Sequence, residues 1–166
     1  MKGYNYVLKL VKNKTKWLAV VDADEFIFPV QKKNLKEFLK DYEKYCGVGV
    51  NWVIYGPSGN IKRPSGNVIQ NYLETFEDRN NEMNLRIKSI VQPKKTLICE
   101  SSHYFLYKKS EFAVDENYKE IVGDGICGKA TTTKNSINKI RINHYWTKSL
   151  EDLQEKCKRR ICRWTF

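Results

Sequence analysis

The chain has 166 residues, 41% hydrophobic and 13% aromatic, which is enough to bury a core and too apolar for a disordered segment. Thirty basic against 19 acidic residues leave a net charge of +11, which favours anionic surfaces and phosphate-bearing substrates. No apolar run approaches the roughly 20 residues of a membrane span, so the sequence allows at most peripheral membrane contact.

By length the chain is one domain over residues 1–166. Tyr4, Val7, Leu8 and Val11 recur at helical spacing and predict a short amphipathic helix over residues 3–13. The apolar run from Trp17 to Val21 predicts a buried strand. Asn34 and Glu37 have the spacing of a cap and its box, opening a helix with Leu35, Phe38, Leu39, Tyr42 and Tyr45 on one face and Gly47 closing it. Val48 to Tyr55 predicts a second buried strand, ended by the turn Gly56-Pro57-Ser58-Gly59-Asn60.

Further on, Val68 to Phe76 predicts a short helix, and strands are expected over Leu85–Val91, Thr96–Cys99 and His103–Tyr107. Residues 110–138 read as loop; Gly123, Gly125 and Gly128 follow no strand and predict turns, not a phosphate cradle. Lys139 to Tyr145 predicts a last strand. Ser149 then opens a helix whose Leu150, Leu153, Cys157 and Ile161 face is expected to dock on the sheet, leaving Lys156 and its basic neighbours in water. Strands interleaved with helices indicate an α/β or α+β class. Five cysteines without a C-x-x-C pair point to reduced, buried thiols and a cytoplasmic protein.

The most informative stretch is Asp22-Ala23-Asp24-Glu25, where three carboxylates follow an apolar run. In open α/β sheets ligands sit beyond the carboxyl ends of strands, and acids at i and i+2 can point the same way. Such hard oxygen donors suit Mn²⁺ or Mg²⁺, which in turn holds a diphosphate. The simpler reading is that Asp22 and Asp24 cap and solvate a strand end.

Four features stand in fixed order: Trp17…Asp22-Ala-Asp24-Glu25-Phe26…Pro29; Trp52…Gly56-Pro57-Ser58-Gly59; Lys88-Ser89-Ile90-Val91…Pro93…His103; and Asn143-His144-Tyr145…Lys148-Ser149…Lys156. In this order the chain resembles the family 92 glycosyltransferases and the related family 2-like enzymes of the GT-A fold. The resemblance implies an α/β fold with a partial GT-A-like mixed sheet flanked by helices. It also implies a metal-dependent, inverting transfer of sugar from a nucleotide-sugar donor to a glycan or other hydroxyl acceptor. Asp22 and Asp24 match the pair that holds the cation and donor diphosphate. His144 matches a histidine that could complete the metal shell, with a core histidine as the alternative. Trp52, Gly56, Ser58 and Gly59 match the acceptor wall, with Trp52 as plain core the alternative.

An inverting transfer needs a base near the acceptor oxygen. Glu25, Glu100, His103, Asp115 and Asp124 are all conceivable, with Glu25, His103 and Asp124 carried forward and Glu25 alternatively a structural acid. Only 21 residues precede Asp22, whereas the resemblance calls for a longer nucleotide-binding unit there, so an incomplete donor pocket is expected. The competing functions are a non-catalytic carbohydrate- or nucleotide-binding module, and a metal-dependent phosphoryl-transfer or nucleic-acid-binding protein. No nucleic-acid-binding motif supports the last.

Overall fold

The computed structural model describes residues 1–108, 110–121 and 130–159, and shows a mixed α/β fold. Helix α1 (Lys2–Val11) is followed by a two-residue strand, β1 (Leu18–Ala19), and by β2 (Glu25–Pro29). Next come α2 (Leu35–Lys40), β3 (Gly47–Ile54), the single turns α3 (Val68–Asn71) and α4 (Glu82–Leu85), and β4 (Ile87–Val91). The hairpin β5 (Thr96–Cys99) and β6 (Phe105–Tyr107), short β7 (Ala113–Val114), β8 (Ile140–His144) and helix α5 (Leu150–Lys158) complete the order.

The main sheet runs β1-β4-β3-β8-β2, with β7 beside the start of β3. β3 is antiparallel to β4 and parallel to β8, while β8 is antiparallel to β2. Every residue of β3 is buried, which explains its continuous apolar reading: a central strand covered on both faces loses the alternation of a half-solvated one. Val48, Val50, Trp52 and Ile54 face Phe38, Leu39 and Tyr42 of the α2 layer, together with Ile140 and Ile142 of β8. On the other face Gly49 admits a second cluster. A Cβ there would stand 2.2 Å from Ile121 Cδ1 and 2.5 Å from Ile87 Cδ1.

Several expected boundaries move. The Trp17 run is not one buried strand: β1 ends at Ala19, Val21 is exposed, and the acids form the turn into β2. Gly47 opens β3 instead of closing α2, which stops at Lys40; Glu37 accepts the amide of Lys33, not that of the cap residue Asn34. The helix expected over 68–76 is only α3, and residues 82–85 turn as α4 before β4 starts.

The largest correction concerns α5. Its Ser149–Asp152 capping box forms, but none of its described residues is buried and Leu150 is 42% exposed. Polar contacts hold it instead: the Arg63 guanidinium bonds Asp152 and Glu155, and its backbone amide donates to Glu151. Ile161, expected on the same face, lies outside the described residues.

One buried carboxylate fixes the entry of β8. Glu116, 2% exposed, accepts from Ser136 Oγ and the Asn138 amide on one oxygen, and from the Lys139 and Ile140 amides on the other. Its carbonyl accepts from the Tyr42 hydroxyl at 2.6 Å. Glu116→Gln should therefore destabilise the fold by about 3 kcal/mol, because an amide nitrogen would face donors with no acceptor. Glu120→Gln, on the exposed side of the same segment, should change chemical-denaturation midpoints by less than about 0.5 kcal/mol equivalent.

Candidate functional site

The acids sit in a tight turn that Glu25 closes. The Glu25 amide donates to the Asp22 carbonyl at 3.1 Å, and Glu25 Oε2 accepts the Asp22 amide at 2.8 Å. The Glu25 side chain is fully buried, so the charge density of this turn is met from within the protein. Lys88, 1% exposed on β4, supplies the counter-charge: its Nζ lies 2.9 Å from Asp22 Oδ2 and 3.6 Å from Glu25 Oε2. A lysine inside an apolar strand is stable only with such partners.

Strand register brings the histidine to the acids. Glu25 pairs with His144 across β2–β8, and Ile54 pairs with His144 across β3–β8. His144 is thus held between two strands with both ring nitrogens toward carboxylates. Nε2 lies 3.7 Å from Asp24 Oδ1 and Nδ1 lies 3.9 Å from Glu25 Oε1. Neither distance is a hydrogen bond, and Nδ1 and Oε1 are both buried without a partner. Asp24 and His144 are the two side chains here that would hold a divalent cation between them, with a small adjustment of either.

Asp22, Asp24 and His144 line one cleft of about 300 Å³, completed by Trp52, Met83, Arg86, Trp146 and Lys156. Asp22 and Asp24 do not aim together: Asp22 is half exposed and bound to Lys88, whereas Asp24 meets Lys156 Nζ at 3.2 Å. The α4 corner that carries Met83 and Arg86 is fixed by Asn84, which accepts the Ile54 amide and donates to the Asp78 carbonyl. Asn51 bonds the backbone of the same turn. Among the described residues no three His, Cys, Asp or Glu side chains gather into a metal shell. A cation bridging Asp24 and His144 would take its other ligands from substrate oxygens or water, as hard-cation sites commonly do.

The remaining expected residues lie around this centre or away from it. Trp52, only 4% exposed, has its ring 4.5 Å from His144 and 5.4 Å from His103. Ser58 and Gly59 adopt positive φ, and Ser58 Oγ accepts the Leu73 and Glu74 amides. Gly56 donates to the Glu74 carbonyl. This turn does not line the acid cleft. His103 Nδ1 faces the Ile87 carbonyl at 2.8 Å and so carries the proton, leaving the lone pair on Nε2. Asp115 caps its own turn through the Asn117 and Lys119 amides, Glu100 is exposed, and Asp124 lies outside the described residues.

Lys88, Arg86 and Met83 are the site residues that sequence reasoning misses, and Lys156, expected in water, has a side chain only 21% exposed. Lys88 carried a readable signal, a charge within an apolar strand. Lys156 did not, because its partner Asp24 is 132 residues distant.

The family model for glycosyltransferase family 92 matches residues 8–161. A comparison with curated proteins finds no match.

Burial pushes the Glu25 carboxyl up to about 7, against the opposing pull of the Asp22 amide and Lys88. Burial also pulls the His144 imidazole down to about 4, against the nearby Asp24. The signs oppose. Stability from a raised carboxyl is full below pH 4.5 and lost as pH rises to about 7; stability from a depressed imidazole is full above 6.5 and lost as pH falls to about 4. Relative to wild type, Glu25→Gln should gain stability as pH rises through that window and His144→Asn should lose it. Chemical denaturation at stepped pH checks this; parallel profiles for both variants would contradict it.

Proposed function

The chain belongs to glycosyltransferase family 92 and is a glycosyltransferase, and on that premise we propose that it moves a sugar from a nucleotide-sugar donor to an acceptor hydroxyl with inversion, using a divalent cation held by Asp24 and His144. The observation that carries this reading is the 3.7 Å gap between Asp24 Oδ1 and His144 Nε2 inside a cleft flanked by Arg86 and Lys156. Carboxylate, imidazole and two cationic side chains together suit a diphosphate bound through a metal. The mixed oxygen and nitrogen donor set favours Mn²⁺ over Mg²⁺. When bound, the cation neutralises charge on the departing diphosphate. The GT-A likeness of the sheet belongs to this reading too.

The chain's own residues divide the remaining work. Glu25 and Lys88 hold the turn that presents Asp22 and Asp24; Glu25 is buried behind His144, which supports a positioning role over a proton-transfer one. In the displacement, the acceptor oxygen bonds the anomeric carbon as the bond to the diphosphate oxygen breaks, and a base takes the acceptor proton. His103 supports that last role best. Burial lowers its pKa, so the ring is neutral near pH 7 with its lone pair on Nε2. It lies one indole, that of Trp52, away from His144.

Calorimetric titration with a panel of nucleotide sugars should give binding that needs Mn²⁺ and is reversed by EDTA. Asp24→Asn and His144→Asn should each weaken that binding about 10-fold or more. His103→Gln should lower transfer to acceptor while leaving donor affinity within about 2-fold, since a base acts on the transition state. Donor binding undiminished by EDTA would remove the cation from this reading.

A further inference from the structure

The two acids of the turn have counter-ions of opposite character. Asp22 is neutralised by Lys88, which is 1% exposed on a central strand and also faces Glu25. That ammonium has nowhere else to go. Asp24 is neutralised by Lys156, which projects from α5, a helix with no described residue buried. Lys156 Nζ also donates to the Trp146 carbonyl and lies 5.4 Å from the Trp146 ring centroid. A surface helix held by polar contacts, carrying a four-carbon flexible stem, gives this ammonium freedom that Lys88 lacks.

We infer that Lys156 is an exchangeable counter-ion: it holds the Asp24 carboxylate until a divalent cation takes that place, and then turns its ammonium to the donor's diphosphate. The inference rests on the metal-and-diphosphate reading above. A cation between Asp24 and His144 must repel an ammonium 3.2 Å from the other Asp24 oxygen. The same cleft then receives a ligand of two negative phosphates, and Lys156 is already one of its walls. Moving from one oxyanion to another keeps the ammonium paired throughout, so the exchange costs little desolvation. Cation and diphosphate would therefore bind in coupled fashion, each favouring the same position of Lys156.

Titration of the full 166-residue chain with Mn²⁺ alone, and then with the Mn²⁺–pyrophosphate complex, tests the exchange. With the competitor removed, Lys156→Gln should bind Mn²⁺ about 3-fold more tightly than wild type, the scale of a partly exposed ion pair. The same variant should bind Mn²⁺–pyrophosphate about 10-fold more weakly, having lost a charge-assisted contact. A merely loosened helix would not move the two affinities in opposite directions. Unchanged or weaker Mn²⁺ binding in Lys156→Gln overturns the exchange, as does unchanged pyrophosphate binding. Asp24→Asn separates the two readings. If it abolishes the Mn²⁺ heat while Lys156→Gln alters nothing, only this inference fails; if neither wild type nor Lys156→Gln gives any Mn²⁺ heat, the metal reading fails with it.

Discussion

The insertion of β8 between β2 and β3 is the constraint on which the site depends. Hydrogen bonding on both edges leaves β8 no freedom to slide, and a slip of one residue would turn His144 to the opposite face. Because Glu25, His144 and Ile54 share one row across three strands, the imidazole is aimed at the acid turn by backbone geometry. Glu116 secures the start of this strand and Tyr145 its end, the latter by donating its amide to the Asp24 carbonyl at 3.0 Å. The chemistry of the turn is thus pinned to the sheet at both ends of one strand.

Around that strand, charge is arranged with little help from solvent. Two carboxylates and a buried glutamate gather within four residues, and their stability depends on lysines contributed by distant elements. Leaving Glu25 Oε1, His144 Nδ1 and Trp52 Nε1 buried without partners is costly. All three belong to the wall of one cleft or the layer directly behind it, and unpaired polar atoms at a cleft wall are free to meet a bound ligand. That pattern accords with an enzyme of glycosyltransferase family 92.

Much of the framework was legible in the residues. The apolar run of β3, the short hairpin strands, β8 and the Ser149 cap were read within a residue or two, since each is dictated by local pattern or local hydrogen bonding. Legibility failed where distant groups decide. The Trp17 run broke early because β1 pairs with β4 over two residues only, and its side chains, though packed on two core clusters, stay partly exposed. The apolar spacing in α5 suggested docking, yet ion pairs from Arg63, some 90 residues away, hold the helix with its leucines partly in water. Asp22, Asp24 and His144 were picked out together and share the cleft, whereas Gly56, Ser58 and Gly59 stabilise a neighbouring turn. No spacing rule conveys which lysine answers which acid.

The position of β8 in the sheet also sets the order in which the molecule can become whole. Its partners lie more than 80 residues upstream in one case and more than 110 in the other. Until that last strand arrives, β2 has no sheet partner and β3 has an open edge, both rich in apolar side chains. Pairings of such sequence separation are entropically slow to close, and open edges invite pairing with other chains. On the ribosome the acid turn is made early and its histidine late, so neither the assembled cleft nor freedom from aggregation precedes synthesis of residues 140–144. A chain stopped short of β8 would carry the acids without the imidazole, and the sticky edges without their cover.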